Sequence, residues 1–137
     1  MQNKLAGQPA ASFAPFIIAF ISGLIISAVD NFAAHGEVSP IAVVPMLLIV
    51  AAILAALWGT RAFVAIVPLW LPLPGAHLVK HLLGLPDTIH PNTYASIGML
   101  AVFSLIVCAV GFGVGASSLH NPLNRIATTV LGFVATK

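Results

Sequence analysis

The eight charged residues of this chain, five basic and three acidic, divide it into blocks, and three of the blocks are long and apolar. No Asp, Glu, Lys or Arg lies from Leu5 to Val29, from Val38 to Thr60, or from Thr88 to Asn124. A helix needs about 20 mostly apolar residues to cross the hydrocarbon core of a bilayer, so each block is long enough. Their apolar parts predict transmembrane helices over residues 12–29, 40–59 and 94–117. Each helix carries small residues at close spacing: Ala19, Gly23 and Ser27 in the first, Ala51, Ala55 and Gly59 in the second, Gly111 and Gly115 in the third. Residues four apart share a helical face, and small side chains there let another helix approach closely. These eight are the expected helix-packing positions.

Residues 62–91 are harder to assign. Phe63 to Pro74 is apolar but short, and Pro68, Pro72 and Pro74 interrupt it. Prolines so spaced oppose a regular helix, yet the segment is too apolar for an ordinary loop. From Ala76 to Gly84, His77, Lys80 and His81 fall on one helical face, which predicts a short amphipathic helix at the membrane interface. Asn92 or Thr93 is then placed to cap the last span. The fold class expected is an all-α integral membrane protein, one unit over residues 1–137. It has three transmembrane helices, a Pro-rich re-entrant or interfacial segment and the amphipathic helix. The competing topology sends residues 62–85 across as a broken fourth helix. Lys4, Arg61, Arg125 and Lys137 would then share one side and Lys80 would stand alone on the other, as the positive-inside rule prefers. The prolines and the His-Lys-His cluster favour three spans, and that topology is taken as the expectation.

Composition agrees with a membrane setting. With 60% hydrophobic and 6% charged residues and a mean hydropathy of +1.10, a water-exposed surface is hard to build. The net charge of +2 rests on scattered residues, so nothing resembles the clustered basic patch of a nucleic-acid binder. The lone Cys108 has no disulfide partner within the chain. Lys4 and the apolar run after it resemble a signal peptide, but no Ala-x-Ala site follows, so a retained first helix is expected. No organelle-targeting prefix is evident, and a bacterial cytoplasmic membrane is the default location.

Candidate chemistry is sparse. The i, i+4 spacing of His77 and His81 puts two imidazoles on one face, where they could share a metal, with Asp87 and His90 close by in sequence. A polar face meeting lipid headgroups explains the same pattern. His35, His77, His81, His90 and His120 could each serve haem or a chlorophyll-type pigment, but all sit near span ends. Asp30 and Glu37 are expected as solvated loop residues. Ser22, Ser27, Ser96 and Ser104 lack a neighbouring base, and no HExxH, nucleophile elbow, phosphate loop or dinucleotide fingerprint occurs.

The stretch from Val67 to His81, Pro-Leu-Trp followed by spaced histidines, resembles the three-helix membrane anchors of succinate and fumarate oxidoreductases. It carries no residue-level motif and places no haem or quinone ligand. The function expected is a small, non-catalytic accessory subunit of a larger membrane complex, respiratory or photosynthetic. It would contact membrane lipids and other integral subunits, with His77 and His81 the candidates for a haem, quinone, pigment or lipid. A homo-oligomeric channel, holin or transporter component is the alternative, and a membrane enzyme using His77 and His81 ranks last.

Overall fold

The computed structural model describes residues 13–33, 40–87 and 89–119. Helix α1 spans Ala14–Ala28 and continues as a π-helical turn, Val29–Ala33. Helix α2 spans Pro40–Trp58. Tighter 3-10 turns over Gly59–Ala65 lead into α3, Ile66–Trp70, and α4, Pro72–Leu83. Helix α5 spans Tyr94–Val114 and ends in a second π-helical turn, Gly115–Leu119. Three helical stretches are long and apolar enough to cross a membrane: Ala14–Phe32, Ile41–Leu83 and Tyr94–Ser117. They overlap the three expected spans, and the second runs far past its expected end at residue 59.

The second stretch is not one straight helix, because it turns at Gly59. Its φ of +64° is a left-handed conformation that a side chain with a Cβ resists, so it ends α2 and turns the chain. Contacts along the molecule give the direction of each limb. Leu48 and Ala52 of α2 meet Gly111 and Gly115 in the same order, so α2 and α5 run parallel. Phe63 packs edge-on against Phe112, Trp70 bonds to Ala101, and His81 packs against Tyr94. That order is reversed, so the limb from Phe63 to Leu83 runs antiparallel to α5. Gly23 lies beside Leu69 and Pro72, and Asp30 beside His77, so α1 runs parallel to this limb. Four limbs therefore alternate in direction along the chain.

The Pro-rich segment continues from α2 through the 3-10 turns and α3 into α4, and residues 76–83 belong to α4 and do not form a helix of their own. Between Phe63 and His81 the limb covers the length of α5 from Phe112 back to Tyr94. A limb packed along the length of α5 is the arrangement that the broken-fourth-helix alternative expects. The prolines permit it because they are staged rather than stacked in one helix. Pro72 takes the first turn of α4, where a missing N–H costs least. Leu71, between α3 and α4, keeps helical torsions (φ −57°, ψ −39°). Its N–H donates to the Val67 carbonyl at 2.9 Å, and the Gly75 N–H donates to the Leu71 carbonyl at 3.0 Å. The chain thus steps across the prolines without leaving the helical region.

The core is built from small residues. Ala19, Ala51, Ala55 and Ala65 are fully buried beside Leu47, Leu54, Leu69 and Leu73. All eight expected packing positions are buried, and where their neighbours are seen they belong to this chain. A Cβ on Gly111 would stand 2.9 Å from Leu48 Cα, closer than real atoms pack. Gly115 meets Ala52 in the same way. Trp70, midway along its limb, donates its indole N–H to the Ala101 carbonyl at 2.8 Å, which satisfies a polar group between helices. Ser104 likewise donates to the Leu100 carbonyl at 2.7 Å, one turn back on its own helix. The outward side chains of α1 and α5, including Ile17, Ile21, Ile25, Met99 and Val102, are exposed and apolar, a surface that suits hydrocarbon.

Candidate functional site

The stripes that pack α1 against the third limb each run on into polar residues. Ala19, Gly23 and Ser27 point α1 at its neighbour, and Asp30 and Asn31 continue that face at i+3 and i+4 from Ser27. On the other side, Leu69 and Leu73 are followed four residues later by His77, fully buried like them. The two stripes bring Asp30 Oδ2 to 2.8 Å from His77 Nε2.

A third group arrives from beyond α4. Gly84, with φ +66°, closes the helix, and the Leu85 N–H donates to the Lys80 carbonyl at 2.9 Å. This left-handed cap folds the chain back over the helix end. Asp87 then reaches His77 Nδ1 with Oδ1 at 2.7 Å. The side chains of Asp30, His77 and Asp87 are 1%, 0% and 0% exposed. Lys80, one turn past His77, donates to Asn31 Oδ1 and stands 3.8 Å from Asp87 Oδ1. Asn31 in turn donates to the Ser27 carbonyl at 2.7 Å. Among the described residues, no hydrogen-bond donor reaches Asp30 Oδ1.

The geometry fixes a proton count. Each short nitrogen–oxygen contact needs one proton, so the three groups hold two protons between them. An imidazolium that donates to both carboxylates is the direct arrangement. The three groups together then carry one negative charge, and the Lys80 ammonium offsets it.

His81 turns to another partner. Its Nδ1 lies 3.0 Å from Asn92 Oδ1, and its ring packs edge-on against Tyr94 with centroids 4.3 Å apart. Thr93, one of the two expected caps, accepts the Ser96 N–H at 3.2 Å and starts α5. The shared face of His77 and His81 is thus divided between two sets of contacts. Both ring nitrogens of His77 lie within hydrogen-bond distance of a carboxylate. Among the described residues, no group of three or more His, Cys, Asp or Glu side chains could hold a metal ion. His90 is exposed, while His35, Glu37 and His120 lie outside the described residues. Cys108 is buried in the core.

Asp30 corrects the sequence reading most sharply. It is a buried partner of His77 and not a solvated loop residue. The signal was its place on the Ala19–Gly23–Ser27 face, which an end to the span at Val29 conceals. Asp87 carried no comparable signal, since its position depends on the turn at Gly84. Comparisons of the chain with protein-family models, with curated proteins and with solved structures find no match in any of the three.

Proposed function

We propose that this chain is a non-catalytic integral membrane protein whose working part is the Asp30–His77–Asp87 cluster, a two-proton latch at one end of the bundle. The carrying observation is that one buried imidazole meets a carboxylate at each nitrogen, tying α1, α4 and the segment after α4 together. A buried ionisable cluster at the end of apolar helices is costly to keep and so marks function. Loss of one proton leaves a ring lone pair facing a carboxylate, and one of the two ties opens. The latch is closed with both protons present and weakens as pH rises and the second is removed. The titratable groups that face it are Asp30 from α1, Lys80 from α4 and Asp87, with His81 and Tyr94 one contact further out.

Two features favour a latch over a proton conduit or an enzyme. Apart from this cluster, the buried polar side chains among the described residues are Ser27 and Ser104. Ser104 is bonded to its own helix, so it offers no continuation toward the far end. The triad is also sealed from solvent, and His77 has no free nitrogen to act as a base.

The test places spin labels at Phe32→Cys and Leu82→Cys, both exposed and flanking the latch, in a Cys108→Ala background. In liposomes the label separation widens as pH is raised across the range in which the protein stays folded. A separation that stays constant across that range refutes the latch.

An accessory role in a larger membrane complex is the second reading. The exposed apolar faces of α1 and α5 favour it, because a partner helix covers such a face as well as lipid does. The small-residue stripes no longer support it, since the chain uses them internally. Native mass after gentle detergent extraction separates the two, because unrelated stoichiometric subunits would establish the complex.

A further inference from the structure

Helices α1 and α4 leave an open groove of about 600 Å³ on the outer side of their junction. Phe20, Leu24 and Phe32 form one wall, and Leu71, Pro72 and Val79 the other. Between them Ala28, Gly75 and Ala76 add little bulk. The walls are apolar, and Asn31 and Lys80 place polar atoms at the end nearest the latch.

Gly75 keeps this space open. A Cβ there would meet no atom within 4 Å, and its backbone is not left-handed, so neither packing nor torsion requires glycine. Glycine within a helix is less stable than alanine. Here that cost leaves room for an occupant from outside the chain.

Length and charge select the occupant. From Phe20 to Phe32 the groove follows about 18 Å of helix. One leaflet is half of a hydrocarbon core of about 30 Å, or about 15 Å. A chain lying in the groove therefore reaches from headgroup level to the bilayer centre. Lys80 lies at the headgroup end, with a side chain 24% exposed and a stem long enough to carry its ammonium to the interface. An ammonium has three donors. Asn31 takes one, and Asp87 at 3.8 Å is beyond hydrogen-bond reach, so donor capacity remains for a ligand.

We infer that the groove binds one acyl chain of a phospholipid from the leaflet at the latch end, whose phosphate accepts from Lys80. The inference rests on the chain being integral to a membrane, and not on the latch. A failure of the membrane reading shows separately, as release of the protein by alkaline carbonate washing.

The experiment is a native mass spectrometry titration of the full chain in mild detergent. Phosphatidylglycerol is compared with diacylglycerol of the same chains, which lacks the phosphate. The wild type retains one phosphatidylglycerol with at least a tenfold preference over diacylglycerol. Lys80→Gln loses that preference and Lys80→Arg keeps it. Gly75→Leu fills the groove and loses both lipids, and Ala28→Phe does the same from the facing helix, so the result does not hang on one variant folding. Wild-type binding without preference, an unchanged preference in Lys80→Gln, or wild-type binding by both groove-filling variants overturns the inference.

Discussion

Replacing His77 by alanine is the most direct perturbation of the latch. The substitution removes both hydrogen-bond partners at once and leaves Asp30 and Asp87, with side chains 1% and 0% exposed, as neighbouring buried carboxylates. Each lost contact is a charge-assisted bond worth about 1.5–3 kcal/mol. Breaking a buried ion pair by deleting one partner costs about 3–5 kcal/mol, mostly for the charge left behind. The expected loss for His77→Ala is therefore about 3–5 kcal/mol. A second substitution isolates the cause. In the His77→Ala background, Asp30→Asn removes one of the stranded charges and recovers part of the loss, whereas alone it is destabilising. The two changes are thus strongly non-additive. Helix content is followed by circular dichroism during denaturant unfolding in detergent. A His77→Ala protein within about 0.5 kcal/mol of wild type, or an additive double mutant, would show that the triad is not a buried charged unit.

Gly111→Val forces α5 away from Leu48 and lowers stability by about 1–3 kcal/mol, while Gly113→Val, whose added Cβ meets nothing within 4 Å, is close to neutral in the same denaturant-unfolding assay. In a Cys108→Ala background, Arg61→Cys and Leu85→Cys, both exposed, react with a membrane-impermeant maleimide from opposite sides of sealed vesicles. Labelling of both from one side would restore the three-span topology. Trp70→Phe keeps an aromatic ring but loses the bond to Ala101, at a cost of about 0.5–1.5 kcal/mol in the same unfolding measurement.

The number of long apolar helices, their positions and their small-residue faces are properties of the sequence alone. They depend on local composition and on a 3.6-residue period, and a bilayer or a neighbouring helix reads both directly. A cap for α5 at Asn92 or Thr93 is legible for the same reason, since a polar side chain next to its own helix start acts locally, and the structure selects Thr93. The third limb is a different matter. Three prolines within seven residues argue against a crossing when each is judged singly. They are tolerated because the 3-10 turns, α3 and α4 share them out, and because α1 and α5 hold the pieces in line. The site belongs to tertiary structure as well. Asp30, His77 and Asp87 lie 47 and 10 residues apart in the pairs that matter. Two glycines with positive φ, Gly59 and Gly84, set which limbs run parallel and where the chain folds back. Sequence spacing placed His77 with His81, because it sees one helix at a time. The folded chain gives His77 to two carboxylates instead, because a buried imidazole takes the partners that packing brings to both of its nitrogens.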